Sequence, residues 1–437
     1  MTALIRILIL AAVVCLAADA GHLVDGPTSV FQPATFTTAW RLWQVPFCAL
    51  ILLHSRGGVR YLRTLMPFGL FFLWVLCSAA HAGFDILTLK GTADLLLPYF
   101  VTALLVGWIY DHDQLRYFRS CLWAAFWVIV AGAFALGLAG LQAMPGTSDP
   151  TPGAQLCYFA GVGNPISFVA LSACLLAMVL AEAPFHRPRW ALLRSLVILT
   201  PCTLALYRTA LGGMIGAVLL MIAAFGIRAF RSPDPMVQRY NRRLAIGLGC
   251  LVLFGAVAAA PLVAAKMFNG DGQVNFSGRT SVWPVYLAAA RDHLFWGLGP
   301  NGDVRISTET ALVANAGEAH SDYLMLLVCY GIPGVVLWTG GIAIVVIRSL
   351  RFSVREPVDA VVRWGAILSL VALGITMTVE NIIRGTSAAW MYLFFPLLAS
   401  LHSMARRDAL PEEARYCASL PVELREAQSR ELAWVPE

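Results

Sequence analysis

The residues best suited to chemistry gather late in the chain. His320 precedes Ser321, and after nine further residues come Gly331-Ile332-Pro333-Gly334. An imidazole titrates near neutral pH and can take the proton of a sugar hydroxyl, a poor nucleophile by itself. Upstream stand Arg208, Arg279, Trp283 and Arg291; downstream stand Glu380, Asn381 and Arg384. A guanidinium fork pairs with phosphate through two hydrogen bonds and keeps its charge. The four arginines together would suit a diphosphate-bearing ligand and would stabilise a departing diphosphate without a metal. Glu318 and Asp322 are candidates to orient the imidazole.

Each of these residues also has a purely structural reading. Arg208 could snorkel to lipid headgroups. Arg279 and Arg291 could be solvated loop charges. Trp283 could be an interfacial anchor rather than a sugar platform, and Arg384 with Glu380 a structural ion pair. Gly331 and Gly334 read as small-residue helix packing. Gly297 and Gly299 form no recognisable phosphate loop.

The elements that must position these groups are membrane helices. The 437 residues are 59% hydrophobic and only 13% charged, with mean hydropathy +0.72. Soluble domains carry about 25% charged residues. Apolar runs fall near 4–20, 37–54, 65–82, 93–110, 120–141, 161–181, 191–207, 209–227, 244–265, 322–346, 364–380 and 387–404. Their length suits helical spans, and they lack the period-two alternation of a membrane barrel. The predicted fold is therefore all-α and polytopic, with about twelve transmembrane helices over 1–404 and a tail over 405–437. Arg6, the apolar stretch 7–17 and Ala18-Asp19-Ala20 also fit a signal peptide, whose cleavage would leave eleven spans.

Alternate loops differ sharply in arginine. Arg56, Arg60 and Arg63, then Arg116 and Arg119, Arg187 and Arg189, and Arg228 to Arg243 fall on one side; 21–36 and 142–160 have none. The arginine-rich side is expected to be cytoplasmic, with both termini on it and 266–320 facing out. The net charge of +6 is thus an orientation signal rather than a sign of nucleic-acid binding. The ten cysteines are scattered without a C-x-x-C or Cys/His cluster, which supports neither a zinc site nor a disulfide framework.

The 266–320 loop is too long to be a plain connector. Trp283, Tyr286, Leu287 and Ala290 recur at helical spacing, which predicts an amphipathic helix lying on the outer leaflet and starting near Val282, with Pro284 in its first turn. Gly297-Leu298-Gly299-Pro300-Asn301-Gly302 ends it, and a second short helix is expected from about Ser307 towards Ala316.

Several segments together resemble the superfamily of bacterial O-antigen ligases and polymerases. His320-Ser321-x9-Gly331-x-x-Gly334 matches its H-[NSQ]-x9-G-x-x-G pattern, although Val335-Val336 replace a frequent threonine pair. Gly278-Arg279 to Trp283, followed by Gly297-Leu298-Gly299-Pro300, resembles its outer-loop pattern. Tyr207-Arg208-Thr209-Ala210-Leu211-Gly212 resembles its Ser-Arg turn, with Tyr207 in place of Ser. The motif-bearing stretch is roughly 200–345. The resemblance implies a metal-independent, inverting glycosyltransferase of the inner membrane with no cofactor. Its donor would be a glycan on undecaprenyl diphosphate, held at the periplasmic face. Arg208 and Arg279 would bind the diphosphate and His320 would activate the acceptor hydroxyl. Arg291, Trp283, Arg384, Glu380 and Asn381 are the further substrate-binding candidates.

The expectation is a ligase acting on lipid A–core in lipopolysaccharide biosynthesis. A polymerase of the same superfamily is the first alternative and a secondary transporter the second. Against transport, no inverted repeat and no mid-span ion-coupling residue is visible.

Overall fold

The computed structural model describes residues 3–10, 46–54, 61–138, 165–204, 208–267, 279–309, 321–351, 357–378, 383 and 391–405. Those residues are mostly helical, with short turns and connections and without a strand. In chain order the helices are α1 (3–10), α2 (46–54), α3 (Gly69–Ala82, preceded by a 3-10 turn Arg63–Phe68), α4 (Ile86–Asp111), α5 (Leu115–Leu138), α6 (Pro165–Glu182), α7 (Pro188–Leu204), α8 (Arg208–Arg231), α9 (Pro235–Met267), α10 (Arg279–Asp292), α11 (Gly302–Glu309), α12 (Asp322–Arg351), α13 (Pro357–Thr376) and α14 (Met391–Ala405).

Among the described residues, six helices are long and apolar enough to cross a membrane: Arg63–Ala82, Ile86–Asp111, Gly212–Arg231, Pro235–Val257, Asp322–Arg351 and Val358–Thr376. Ala170–Phe185 and Met391–Ala405 are apolar but shorter. The expected membrane protein is thus present as an all-helical bundle. Against the expected count of about twelve, six spans are found among the described residues, and some of the other expected runs lie partly outside them. Large apolar side chains face outward, as lipid requires: Leu70, Leu73 and Leu76 on α3, and Leu253, Phe254 and Val257 on α9.

Helix ends meet at two levels. At the arginine-rich level Tyr61 donates to Asp111, Arg119 reaches Glu182 at 2.7 Å, and buried His402 meets Asp359 at 2.6 Å. At the opposite level, here the loop end, α10 and α11 lie across α12. α12 packs on α3, while α13 packs between α6 and α8.

The feature that organises the loop end is a break in α12. Gly331 has φ 66° and ψ −170°, inside an otherwise continuous helix. Pro333, two residues on, has no N–H to contribute. A break frees backbone groups that must find partners in an apolar setting. The loop between α10 and α11 supplies them. Leu298 and Gly299 donate N–H bonds to the carbonyls of Val328 and Cys329 at 2.8 and 2.9 Å, and Ile332 donates to Leu294 at 2.8 Å. Trp74 Nε1 donates to the Tyr330 carbonyl at 2.8 Å. A Cβ on Gly331 would lie 2.2 Å from the Phe295 oxygen, and one on Gly297 2.4 Å from the Cys329 carbonyl. The expectation of small-residue helix packing at Gly331 is therefore corrected: the glycine serves a backbone docking joint.

Candidate active site

Two of the loop's elements differ from their predicted extents. α10 begins at Arg279, three residues before the expected start, so Pro284 is its sixth residue and lies beyond the first turn. The buried stripe of α10 is Val282, Tyr286 and Ala290, one residue every four, pressed onto α12. The expected stripe is thereby rotated: Leu287 is 52% exposed and Trp283 half-buried. α11 starts at Gly302 rather than Ser307, because Asn301 turns the chain at φ 61° and Asp303 supplies the acid that a helix N-terminus favours. It is described as far as Glu309; the stretch predicted as far as Ala316 lies outside the described residues.

Rotation of α10 opens an apolar groove of about 420 Å³ between α10 and α12. Trp283 and Leu287 form one wall; Tyr323, Leu327, Ile332 and Val336 form the other. Ser321 and Thr378 are its polar members. Ile332 and Val336 are about half exposed, so the groove opens to the surroundings of the bundle. Val335 and Val336, which stand where the resemblance leads one to expect threonines, both line it. The replacement makes this wall apolar.

The polar edge of the groove is built around the end of α13. The Met377 carbonyl accepts the Asp322 N–H at 2.9 Å and the Ser321 hydroxyl at 3.3 Å. The fully buried Asp322 carboxylate accepts the Ile383 N–H at 3.2 and 3.3 Å. That ties the segment after α13 to the start of α12. α8 reaches the same place. A Cβ on Gly213 would be 2.6 Å from both the Ala372 carbonyl and Thr376 Oγ1, so only a glycine lets α8 approach so closely. Arg208 opens α8 five residues earlier, about 7.5 Å along the axis at 1.5 Å per residue.

The sequence candidates fall on this frame as follows. Arg279 is the first residue of α10, one turn before Trp283. Arg208 is the first of α8. His320 adjoins Ser321 but lies outside the described residues, as do Glu318, Glu380, Asn381 and Arg384. Ile383, the immediate neighbour of Arg384, is described and buried at Asp322. The backbone therefore brings the positions next to His320 and Arg384 together, with the first turns of α8 and α10 leading to the same frame. Arg291 is different. It lies two turns beyond Trp283, exposed in the last turn of α10, and is not among the groove's walls.

Sequence reasoning missed the residues that hold the loop in place. Arg305 donates to Asp85 at 2.5 Å and to Thr88 at 2.8 Å, joining α11 to the start of α4. Asp85 also accepts the Thr88 N–H at 2.7 Å as the N-cap of α4. These bonds hold the Asp85 carboxyl below its ordinary range, the Thr88 backbone bond first and the Arg305 charge further down. Asn301 donates to the Leu87 carbonyl at 2.8 Å. Ser78 donates to the Trp296 and Cys329 carbonyls. The Trp296 ring stacks on Trp74 at 4.8 Å and on His81 at 5.0 Å. Asp85 and Thr88 do carry a cap signature, Asp three residues before Thr; no local signal marks the others.

Fold and site together define a polytopic helical membrane protein with an amphipathic groove at one end of its bundle. Residues 195–339 match the family model described as O-antigen ligase. The match takes in Arg208, Arg279, Trp283, Arg291, His320 and the Gly331 break, and stops before Glu380. It supports the O-antigen ligase superfamily and a glycosyltransferase-type activity. No curated protein matches the chain.

Proposed function

We propose that the protein transfers a glycan from undecaprenyl diphosphate to a sugar hydroxyl of lipid A–core, at the periplasmic face of the inner membrane. The observation that carries this reading is the groove, in which Trp283, one turn from Arg279, faces Ser321, the neighbour of His320. An apolar trough open to the bilayer and ending at polar groups is what a polyprenyl diphosphate requires. The prenyl chain lies against Leu327, Ile332 and Val336, and the diphosphate sits at the Ser321 edge. Arg208 and Arg279 hold the diphosphate charge there.

The reaction is a single displacement with inversion. His320 takes the proton of the acceptor hydroxyl as its oxygen bonds to the anomeric carbon. The bond from that carbon to the diphosphate oxygen breaks, and undecaprenyl diphosphate leaves with its electron pair. The arginines stabilise the charge that develops on it; one preorganised stabiliser of this kind is commonly worth about 2.7–4 kcal/mol. Tight burial of Asp322, bonded to Ile383 and Met377, fixes the backbone on which His320 begins.

The test is purified protein in lipid, given a polyprenyl-diphosphate-linked glycan and a lipid A–core acceptor. Wild type should place glycan on lipid A–core, and His320→Ala should abolish transfer while inserting normally. Retained turnover in that variant would remove His320 from the mechanism. Longer glycans left on the polyprenyl carrier would identify a polymerase instead. Substrate flux across the bilayer that survives His320→Ala would point to transport.

A further inference from the structure

The arginine-rich end of the bundle holds a second groove, far from the loop. α5 and α7 each pack on α6 and leave a gap between them. That gap is a cavity of about 520 Å³ with Arg119, Trp123 and Trp127 on α5 and Trp190, Arg194 and Val197 on α7. It continues into a second space of about 420 Å³ at Phe185, His186 and Arg187, the two sharing Trp190 and Arg194.

Polarity is graded along this groove. On α5, Arg119, Trp123 and Trp127 recur every four residues, with the cation at the helix end and the tryptophans progressively deeper. On α7, Trp190, Arg194 and Val197 share one face, and Arg194 lies about 9 Å from the helix start at 1.5 Å per residue. Trp127 and Trp190 are about half exposed. Charge in the groove is one-sided. Glu182 is committed to Arg119 at 2.7 Å and lies 3.7 Å from His186. Arg194 and Arg187 form no ion pair with a described residue. An exposed arginine with no counter-charge near a helix end draws an anionic headgroup to it.

We propose that this groove binds an anionic phospholipid from the leaflet at the arginine-rich end. The phosphate sits between Arg194 and Arg187, with Trp190 at headgroup level, and one acyl chain runs inward along Trp123, Trp127 and Val197. The graded wall excludes a free anion, which would leave the apolar part uncovered. It also disfavours a zwitterionic lipid, which brings no net charge to the arginines. The site depends only on the bundle spanning a membrane and is independent of the glycan-transfer reading.

Full-length protein in detergent is titrated with dioleoyl phosphatidylglycerol, and bound lipid is counted by native mass spectrometry. Wild type should bind one phosphatidylglycerol saturably, and dioleoyl phosphatidylethanolamine at least fivefold more weakly. Arg194→Gln should weaken phosphatidylglycerol about fivefold, the factor for roughly 1 kcal/mol per interfacial arginine. Arg187→Gln combined with it should weaken binding further. Arg351→Gln, an exposed arginine on α12 at the same end, should leave binding unchanged, and thermal unfolding of all variants should match wild type. Equal affinity for the two lipids, or equal loss in Arg351→Gln and Arg194→Gln, would overturn the proposal. Displacement of the lipid by millimolar inorganic phosphate would overturn it too, by making the site one for free anions.

Discussion

The long loop before α12 meets the bundle in two different ways. From Leu294 to Arg305 its attachments are polar and directional: main-chain bonds to Val328, Cys329 and Ile332, a side-chain amide on Leu87, a guanidinium on Asp85. From Val282 to Ala290 the attachment is an apolar seam, with Trp283 and Leu287 left at the lip of a groove. Hydrogen bonds in an apolar setting fix register, since a slipped arrangement would leave donors and carbonyls unpaired. Apolar contact is non-directional and tolerates an adjustable surface. One half of the loop thus sets position, and the other offers a face that a chain molecule can occupy.

Breaking the directional half should have the largest effect. Gly331→Ala puts a side chain at φ 66° and a methyl 2.2 Å from a backbone oxygen. That positive-φ, extended-ψ conformation is essentially confined to glycine and alone costs about 1–3 kcal/mol, and the overlap with backbone brings the loss to about 3 kcal/mol or more. Thermal unfolding should drop by many degrees, and protease should cut between Leu294 and Arg305. Gly340→Ala is the control on the same helix, with nothing within 4 Å of its added Cβ. It should be neutral or gain roughly 0.5–1 kcal/mol. Similar unfolding of the two variants would dissolve the contrast between the loop's halves.

What was legible in the sequence follows from the range of each interaction. Membrane helices at 86–111, 208–231 and 322–351 were visible because burial in lipid leaves a continuous apolar run. Their ends were less so: α4 starts at Ile86, seven residues before the apolar run, because the Asp85 cap and the Arg305 contact carry the helix through Lys90. α10 was found by its period, but its apolar stripe was assigned to the leaflet, whereas Tyr286 and Ala290 of that stripe bury with Val282 against α12; period alone does not say which neighbour a face meets. The Gly331 joint was invisible as a joint. Its partners Leu294, Phe295 and Gly297 lie more than thirty residues away, and Gly331 and Gly297 are each explained only by the other segment's backbone. The spacing from His320 to Gly331 was recognised as a motif, and the structure supplies part of its reason: the segment from Ser321 to Tyr330 runs from the Met377 anchor to the docking joint.

One tryptophan from each half sharpens the comparison at intermediate size. Trp296→Ala removes two stacked neighbours, Trp74 and His81, and should lower stability by roughly 1–3 kcal/mol. Trp283→Ala widens the open groove and should leave unfolding nearly unchanged. Its loss should appear in transfer kinetics as a KM raised about tenfold with kcat within about twofold, the pattern of a contact made equally in ground and transition states. A lowered unfolding temperature for Trp283→Ala without a change in KM would make it a structural anchor like Trp296.

The smallest effect lies at the far edge of the directional half, where Arg305 meets Asp85 in partly exposed positions. Surface ion pairs are worth little, so the informative variable is pH. The folded Asp85 carboxyl titrates below its ordinary value, held first by the Thr88 N–H and then by the Thr88 hydroxyl and Arg305. Its contribution is therefore complete above the unfolded pKa, near 4, and is lost as the pH falls through the lower folded value. Asp85→Asn keeps a side chain able to cap α4 and removes only the charge. Wild type should unfold slightly higher than Asp85→Asn at pH 6, and the gap should close below about pH 4 and narrow in high salt. A gap that persists in acid would mean that Asp85 acts through its cap on α4 rather than through its charge.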